Sequence, residues 1–240
     1  MAYAAIIIGG SGAIASALKE TLINDEDCQQ IWLFSRRQPP VALPAKIRWQ
    51  TIEYTQSAIK TALADSLPDS LPVQKVFICN GRLHDAELKP EKRLEQFNAE
   101  NCQAIMHSNS IVPMLWVQAL LPYLKSAHSC QMVVFSARVG SIGDNHLGGW
   151  YSYRASKAAL NMLLKTAAIE YQRRAPNVAM IAFHPGTTDT PLSRPYQKNV
   201  PAEKLLTPAF VAENLLTILE NLPDGETLRF LDWQGKKIDW

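Results

Sequence analysis

Tyr153 and Lys157 stand four residues apart in a stretch whose composition is typical of a helix. Four residues along a helix turn through about 400°, so the two side chains would lie on one face, roughly 40° apart. A phenol with a pKa of about 10 is a weak acid–base catalyst at neutral pH, and a neighbouring ammonium lowers that pKa. The pair therefore predicts proton donation to a carbonyl oxygen, although the same spacing also occurs on the surface of ordinary helices.

A glycine-rich turn follows the first apolar run, Ile6 to Ile8, and precedes a helical pattern. It reads G-x-x-G-x-x-A through Gly9, Gly12 and Ala15, or G-x-G-x-x-A beginning at Gly10. Glycines let the backbone turn sharply and let its N–H groups approach a pyrophosphate at the positive end of the helix. An ordinary tight turn would leave the same pattern, but its place at the first strand favours a nucleotide site. The predicted cofactor contacts here are Gly9, Ser11, Gly12, Ala13 and Ile14.

The second apolar run ends in Ser35, Arg36 and Arg37, without an acidic residue. A site that prefers NAD usually places Asp or Glu here for the ribose 2′-hydroxyl, whereas arginine can bind a 2′-phosphate. These three residues therefore favour NADP(H) over NAD(H). The alternative is that both arginines are solvated surface residues.

The elements that must position these residues alternate along the chain. Short apolar runs separated by longer amphipathic stretches are typical of βαβ units around a parallel sheet. The sequence therefore predicts an α/β fold, a single Rossmann-type domain over residues 1–240 with a doubly wound parallel sheet of about seven strands and helices on both faces. The predicted strands are Ala4–Ile8, Gln30–Phe34, Arg48–Ile52, Lys75–Ile78, Gln131–Phe135, Val178–Phe183 and Thr227–Phe230. The predicted helices are Ala13–Ile23, Gln56–Ser66, Pro90 to about His107, about Ile111–Ser126, Tyr153–Gln172 and Pro208–Asn221.

The composition is that of a soluble globular protein and disfavours other classes. The 240 residues are 47% hydrophobic and 19% charged, with a net charge of +2. Basic residues never occur more than two in a row, so nucleic acid is not an expected partner. The four cysteines lack metal-ligand or C-x-x-C spacing, which predicts a reduced, cytoplasmic protein without a metal. The apolar stretch Ile111–Leu124 contains two prolines and is expected to be too short and interrupted for a membrane span.

Three motifs follow one another along the chain. The glycine turn comes first, the Tyr153/Lys157 pair next, and His184-Pro185-Gly186-Thr187-Thr188-Asp189-Thr190 last. In this order they resemble the short-chain dehydrogenase/reductase superfamily over nearly the whole chain. Longer runs resemble its C-factor and sniffer-type carbonyl reductase branch. These runs are Asn80–Asp85, Pro90–Lys92, Gly140–Asn145, Gly148–Met162 and Phe230–Lys236.

The resemblance implies roles for three side chains in catalysis. Tyr153 matches the family's general acid and base, and Lys157 matches the residue that binds the nicotinamide ribose and lowers the tyrosine pKa. Asn109 matches the helix asparagine that holds a water linked to this lysine, with Asn101 as a competitor. Four residues in loops that follow strands at the cofactor end can line a substrate pocket, with plain packing as the alternative for each. They are Trp150, Tyr151, Leu192 and Tyr196.

The resemblance also implies cofactor contacts beyond the glycine turn. Glu53 and Tyr54 match a pair that contacts adenine, unless Glu53 is an ordinary acid at a strand end. Asn80 and Gly81 match the end of the family's Asn-Asn-Ala-Gly segment, with Asn80 in place of the alanine. The residues that match the loop around the nicotinamide carboxamide are Pro185, Gly186, Thr188 and Thr190.

The main departure from the family concerns its catalytic serine, which bonds the substrate carbonyl. Aligning Phe135–Gly140 with the branch puts Ala137 in the serine position. Ser136 is adjacent, yet successive strand side chains face opposite ways, so it can substitute only if the strand end twists. Ser141 is another candidate. The loss of one such donor typically costs about 10²–10³ in rate.

The resemblance, taken with these residues, implies an NADP(H)-dependent oxidoreductase acting on a small-molecule carbonyl or alcohol. The alternative is a nucleotide-binding regulatory or signalling protein of the same fold with weak or lost catalysis, which Ala137 favours. Many relatives associate through helices of this fold, so a homodimer or homotetramer is a further expectation.

Overall fold

The predicted alternation of strands and helices is confirmed in the computed structural model, which describes residues 1–40, 42–67, 71–223 and 225–240. The strands are β1 Tyr3–Ile8, β2 Cys28–Ser35, β3 Ile47–Thr51, β4 Val73–Ile78, β5 Cys130–Phe135, β6 Val178–His184, β7 Thr187–Thr188, β8 Leu205–Leu206 and β9 Leu228–Asp232. The α-helices are α1 Ala13–Asn24, α2 Gln56–Ser66, α3 Ala99–Met106, α4 Val112–Leu124, α5 Tyr151–Arg174 and α6 Pro208–Glu220.

Seven strands form one parallel sheet in the order β3-β2-β1-β4-β5-β6-β9, and β7 and β8 form a separate small pair. The order reverses direction at β1, so the chain crosses from one side of β1 to the other. Ile8 at the end of β1 lies opposite Phe34 of β2 on one side and Ile78 of β4 on the other. Because ligands of such sheets bind beyond the carboxyl ends at this crossover, the loops after β1, β2 and β4 mark the site.

The centre of the sheet is buried on both faces, which explains why a strand such as β1 is continuously apolar. Ile6 and Ile8 point to the face covered by α2, α4 and α5, where they pack in one core with Trp116. Ile7, between them, points to the opposite face, where α1 and α6 pack with residues such as Leu215. The period-2 alternation of a strand thus divides one apolar run between two cores.

The predicted helix beginning at Pro90 was wrong for its first part. Residues 90–98 form a loop with a short 3₁₀ turn at Leu94–Gln96, and α3 begins only at Ala99. Asn98 caps this helix, since its Oδ1 accepts a hydrogen bond of 2.9 Å from the Asn101 N–H.

The sequence also predicted a break between a helix ending at about His107 and one beginning at about Ile111, and this prediction was wrong. A π turn at His107–Ile111 joins α3 to α4, with the Val112 N–H donating to the His107 carbonyl. The result is one helix over Ala99–Leu124, 26 residues long and apolar enough to cross a membrane by length and composition alone. However, 56% of the most apolar 18-residue stretch of this helix is buried inside the protein, as in the core helix of a globular fold.

Candidate active site

The glycine turn is tight and leaves the start of α1 open. Gly9 has a φ of +80°, a conformation that favours glycine, and its N–H donates to the Phe34 carbonyl at 2.9 Å. Gly12 precedes α1 and its N–H donates to the Gly9 carbonyl, also at 2.9 Å. No side chain caps α1 and no acidic residue lies in its first turn. The exposed Ser11 and Gly12, with half-buried Ala13 and Ile14, therefore surround free helical N–H groups suited to a phosphate.

Tyr54 stabilises the glycine turn through its hydroxyl group. Its hydroxyl donates to the Phe34 carbonyl and accepts the Gly9 N–H, each at 3.1 Å. Its ring packs edge-on against Trp116, and burial raises its pKa to about 12. The neighbouring Glu53 is exposed. The structure thus gives the Tyr54 hydroxyl a bracing role, which the sequence did not predict.

The two arginines after β2 are exposed and unpaired. Neither guanidinium forms an ion pair in the described part of the chain. The Arg36 guanidinium lies 5.6 Å from the centroid of the Tyr54 ring, and the Arg37 N–H donates to the buried Ser35 Oγ at 3.1 Å. Two cations without carboxylate partners beside the glycine turn are a suitable environment for a further phosphate.

Tyr153 and Lys157 project from the first turns of α5 and are both buried. The Lys157 Nζ lies 5.9 Å from the centroid of the Tyr153 ring and donates to the Phe135 carbonyl at 2.7 Å. The Tyr153 hydroxyl makes no hydrogen bond to any other described residue. The two side chains therefore meet on one helix face, with the lysine held by the end of β5 and the phenol free.

Burial dominates the titration of both groups. It raises the pKa of Tyr153 to about 12 and lowers the pKa of Lys157 to about 8, because a charge is costly away from water. The expected lowering of the Tyr153 pKa by Lys157 is therefore not produced by the protein groups alone. At neutral pH the phenol carries its proton, which is the form that can donate to a substrate oxygen.

Asn109 is fully buried within the π turn, and its amide is held from two sides. Its Oδ1 accepts the Arg82 N–H at 2.7 Å, and its Nδ2 donates to the Arg82 carbonyl at 2.8 Å. The Nδ2 also donates to the Ser156 Oγ at 3.0 Å, and this hydroxyl donates to the Tyr153 carbonyl at 2.8 Å. The loop after β4 is thereby tied to the helix that carries Tyr153. Asn101, the competitor, makes none of these contacts.

The main chain of Asn109 is also unusual. Pro113, four residues later, has no N–H, so the regular helical hydrogen bond to the Asn109 carbonyl cannot form. Gly81 lies beside this region, since a Cβ there would be 3.7 Å from the Lys157 Nζ and 3.8 Å from the Asn109 Oδ1. The missing side chain keeps the space beside these two polar groups open.

The structure does not bring Ser136 to this cluster. Its hydroxyl donates to the Asn161 Oδ1 at 2.7 Å, inside the protein. Ala137 packs against Tyr153 instead, as the alternation of an extended strand end requires. Ser141 is buried, and its Oγ accepts the Asp144 N–H at 3.2 Å.

The other walls beside Tyr153 are apolar and aromatic. Trp150 meets the Tyr153 ring edge-on at 6.1 Å between centroids and the Tyr196 ring at 5.1 Å. His84 packs against Tyr196, and its Nε2 lies 3.1 Å from the Leu192 carbonyl. Side chains from the loops after β4, β5 and β6 thus enclose the free phenol. The cluster consists of Leu83, Ala137 and Tyr153, with Val139, Trp150, Leu192 and Tyr196 packed against it.

A clamp at the start of α5 was missed by the sequence reasoning. The Glu91 carboxylate is buried and accepts hydrogen bonds from the Ser152 N–H at 3.2 Å and from the Ser152 Oγ. The Glu91 carbonyl accepts the Trp150 N–H, and Trp150 has a φ of +53°. The loop after β4 therefore caps the helix immediately before Tyr153. The only sequence signal was the Pro90–Lys92 motif.

The loop after β6 lies at the same end of the sheet. The Thr188 hydroxyl is buried and donates to the Pro185 carbonyl at 3.1 Å, across Gly186. Thr187–Thr188 pairs with Leu205–Leu206, and the Thr190 N–H donates to the Ser193 Oγ at 3.3 Å. The Thr188 hydroxyl thus holds the shape of this loop.

These features fit a pyridine dinucleotide. Among the described residues, they comprise N–H groups at the start of α1 that no side chain caps, two arginines without an ion-pair partner, and a buried Asn80 Oδ1 without a hydrogen-bond partner. Within those residues, no group of three or more His, Cys, Asp or Glu could hold a metal ion.

Comparison with protein families decides the identity. A family model described as short chain dehydrogenase matches residues 3–201. The chain belongs to the short-chain dehydrogenase family. The resemblance noted in the sequence is therefore confirmed, together with the α/β sheet that it implied.

Two curated relatives of this short-chain dehydrogenase match about half of the chain. One is 1-hydroxy-2-glutathionyl-2-methyl-3-butene dehydrogenase of Rhodococcus sp. strain AD45, 32% identical over 133 residues that cover 55% of each protein. The other is the C-signal of Myxococcus xanthus, 29% identical over 132 residues, which cover 55% of this chain and 74% of that protein. The match thus spans little more than half the length of the Rhodococcus enzyme.

Solved structures match the fold over the full length. NADPH-bound carbonyl reductase from chicken fatty liver has a TM-score of 0.82 at 23% identity, with 100% of this chain and 99% of that chain covered. The carbonyl reductase Sniffer of D. melanogaster has a TM-score of 0.82 at 18% identity, with both chains fully covered. At these identities the likeness establishes the fold alone.

Proposed function

We propose that this short-chain dehydrogenase catalyses NADP(H)-dependent reduction or oxidation at the carbonyl or alcohol carbon of a small molecule. The observation that carries the proposal is the buried pair of Tyr153 and Lys157, with Asn109 fixed beside them at the crossover end of the sheet. A neutral, unbonded phenol enclosed by apolar side chains is suited to donate a proton to a substrate oxygen.

The roles of the three residues follow from their contacts. The Tyr153 O–H gives its proton to the substrate oxygen in reduction and takes it back in oxidation. The buried Lys157 ammonium stabilises the phenolate and can hold ribose hydroxyls, since Gly81 leaves space beside its Nζ. Asn109 fixes the loop after β4 to α5 through its side-chain amide, and its main-chain carbonyl can bind a water. When bound, the dinucleotide supplies or accepts the hydride at the substrate carbon.

The preference for NADP(H) is supported by Arg36 and Arg37, which have no acidic partner in the described residues. Titration of wild-type and doubly substituted protein, Arg36→Ala with Arg37→Ala, tests it directly. We expect at least a tenfold loss of NADPH affinity and little change for NADH. Equal losses for both dinucleotides would contradict the preference.

The activity is tested by following NADPH oxidation with a panel of aldehydes, ketones and quinones. We expect turnover with part of the panel, and a loss of at least 10²-fold in kcat for Tyr153→Phe with unchanged NADPH binding. Tyr171→Phe is the matched control, since Tyr171 is also buried on α5 but its hydroxyl donates to the Val117 carbonyl, and this variant should keep its kcat. Unchanged turnover in Tyr153→Phe would contradict the mechanism.

A second candidate is a dinucleotide-binding regulatory or signalling protein with weak catalysis. Ala137 favours it, because the position beside Tyr153 carries no hydroxyl. One relative is the C-signal of Myxococcus xanthus. NADPH binding without turnover on any carbonyl of the panel would favour this candidate over the enzyme.

A further inference from the structure

Asn80 carries a buried acceptor that nothing in the described protein satisfies. Its Oδ1 is shielded from solvent and has no hydrogen-bond partner among the described residues. Most buried polar side-chain atoms in folded proteins are bonded, because an unpaired one has lost its hydrogen bonds to water without replacement. An uncompensated acceptor at the ligand end of a sheet therefore calls for a donor from outside the chain.

Asn80 lies between the two parts of the candidate active site, the glycine turn and the Tyr153/Lys157 pair. Asn80 follows β4 directly, and a Cβ on Gly9 would lie 3.1 Å from the Asn80 nitrogen and 3.3 Å from its Cα. Asn80 thus abuts the glycine turn. The next residue, Gly81, adjoins the Lys157 Nζ and the Asn109 Oδ1.

The ligand group at this place must donate a hydrogen bond. Phosphates belong to the glycine turn and carry no suitable proton, whereas the ribose hydroxyls of a dinucleotide are donors that flank its phosphates on either side. We propose that the Asn80 Oδ1 accepts a hydrogen bond from a ribose hydroxyl of the bound dinucleotide. This inference rests on the proposed function and adds a side-chain contact at a position where the family pattern has alanine.

Asn80→Ala tests the proposal through two readouts other than turnover. The dissociation constant for NADPH, measured by fluorescence, should rise about tenfold, because the hydroxyl loses its acceptor. The melting temperature of the protein without nucleotide should stay the same or rise, because the substitution removes an unpaired buried group. Since alanine is the family's residue here, the backbone accommodates it.

Asn177→Ala is the matched control. Asn177 immediately precedes β6, at the end of the sheet away from the candidate active site. Its Nδ2 donates to the Leu124 and His128 carbonyls, each at 2.8 Å. This variant should show the reverse pattern, a lower melting temperature with unchanged NADPH affinity. An Asn80→Ala variant that behaves like Asn177→Ala would overturn the proposal, because Asn80 would then have an internal partner.

Two fragments identify which ribose provides the hydroxyl. Weaker binding of 2′,5′-ADP to Asn80→Ala would assign the adenosine ribose, and weaker binding of reduced nicotinamide mononucleotide would assign the nicotinamide ribose. Unchanged affinity for NADPH and both fragments overturns the inference while the proposed function stands. If the wild-type protein binds neither NADPH nor NADH, the inference and the proposed function both fail.

Discussion

Tyr153 has two groups of neighbours, here called the polar side and the apolar side, and they are built in different ways. On the polar side, Asn109 and Ser156 form a chain of hydrogen bonds that ends on the Tyr153 carbonyl, and the Lys157 Nζ is bonded to the Phe135 carbonyl. On the apolar side, Ala137 and its neighbours pack with Tyr153 without offering a hydroxyl at position 137. Under the proposed function, the groups that would move a proton are fixed by polar bonds, whereas the side that would meet the substrate relies on shape.

This difference separates two requirements, holding the proton donor in place and orienting the carbonyl. A proton donor must be held precisely, which a network of bonded buried groups achieves. A carbonyl can be oriented by packing alone, at the cost of one donor to the developing oxyanion. Substitutions on each side should therefore affect different quantities.

Replacing Lys157 by Met should have the largest effect on the polar side. We expect kcat to fall by about 10²–10⁴-fold, because the phenolate would lose its neighbouring charge. Steady-state kinetics at saturating NADPH measures this change. Lys165→Met, an exposed position on the same helix, should leave kcat unaltered, and a similar loss in both variants would contradict a specific role.

The same variant should show a characteristic pH dependence of stability. Burial lowers the Lys157 pKa from 10.5 to about 8, so between these values the unfolded chain binds more protons and wild-type stability rises with pH. The unfolding free energy of Lys157→Met should therefore exceed that of the wild type by up to about 3 kcal/mol below pH 8. This difference should narrow toward pH 10. Chemical denaturation at several pH values measures it, and a constant gap would argue against a buried ammonium.

Asn109→Ala should disrupt the polar side of Tyr153 by removing the hydrogen bonds of the Asn109 amide. Three hydrogen bonds are lost and the Arg82 backbone is left unpaired, so we expect unfolding free energy to fall by about 3 kcal/mol and kcat by about tenfold or more. Ser110→Ala removes only the hydrogen bond to the Ser156 carbonyl and should cost about 1 kcal/mol without a change in kcat. Equal effects of the two substitutions on kcat would remove the special role of Asn109.

Ala137→Ser should sharpen the comparison by adding a donor to the apolar side. We expect kcat to increase by about 10²-fold on carbonyl substrates, because one oxyanion donor typically contributes about 10²–10³ in rate. Val139→Thr, which adds a hydroxyl to the same cluster at another position, is the control and should give no gain. An Ala137→Ser variant with wild-type kcat would mean that another group already donates to the carbonyl.

Ser136→Ala should have the smallest effect. The Asn161 Oδ1 would lose its donor, which lowers the unfolding free energy by about 1 kcal/mol, and kcat should stay within about twofold of the wild type. Thermal unfolding and steady-state kinetics on one preparation measure both values. If kcat fell as strongly as in Tyr153→Phe, Ser136 would have to reach the substrate after all.

The sheet was predictable because its signals are local. Each apolar run that the sequence marks as a strand pairs in the seven-stranded sheet, and α2 has the predicted bounds, Gln56–Ser66. The glycine turn was predictable because its glycine pattern is local, whereas the contacts of Gly9 with Phe34 and Tyr54 that also hold it were not.

The rest depended on contacts between distant residues. Glu91 lies in a charged stretch that has a helical composition, but its carboxylate binds Ser152, 61 positions later, and the segment becomes a loop. The Tyr153 pKa depends on burial by several elements, which a helix spacing does not reveal. Pro113 lies inside the second predicted helix, and a π turn at His107–Ile111, just before it, joins the two helices that the sequence separated.

That π turn holds one extra residue between α3 and α4. In a regular α-helix an added residue would rotate everything beyond it by about 100°, whereas a π turn takes up the extra residue locally. Ile105 before the turn and Trp116 after it are both buried. Removing one residue from His107–Ile111 would therefore change the turn that carries the Asn109 amide while the helix segments on either side keep their packing.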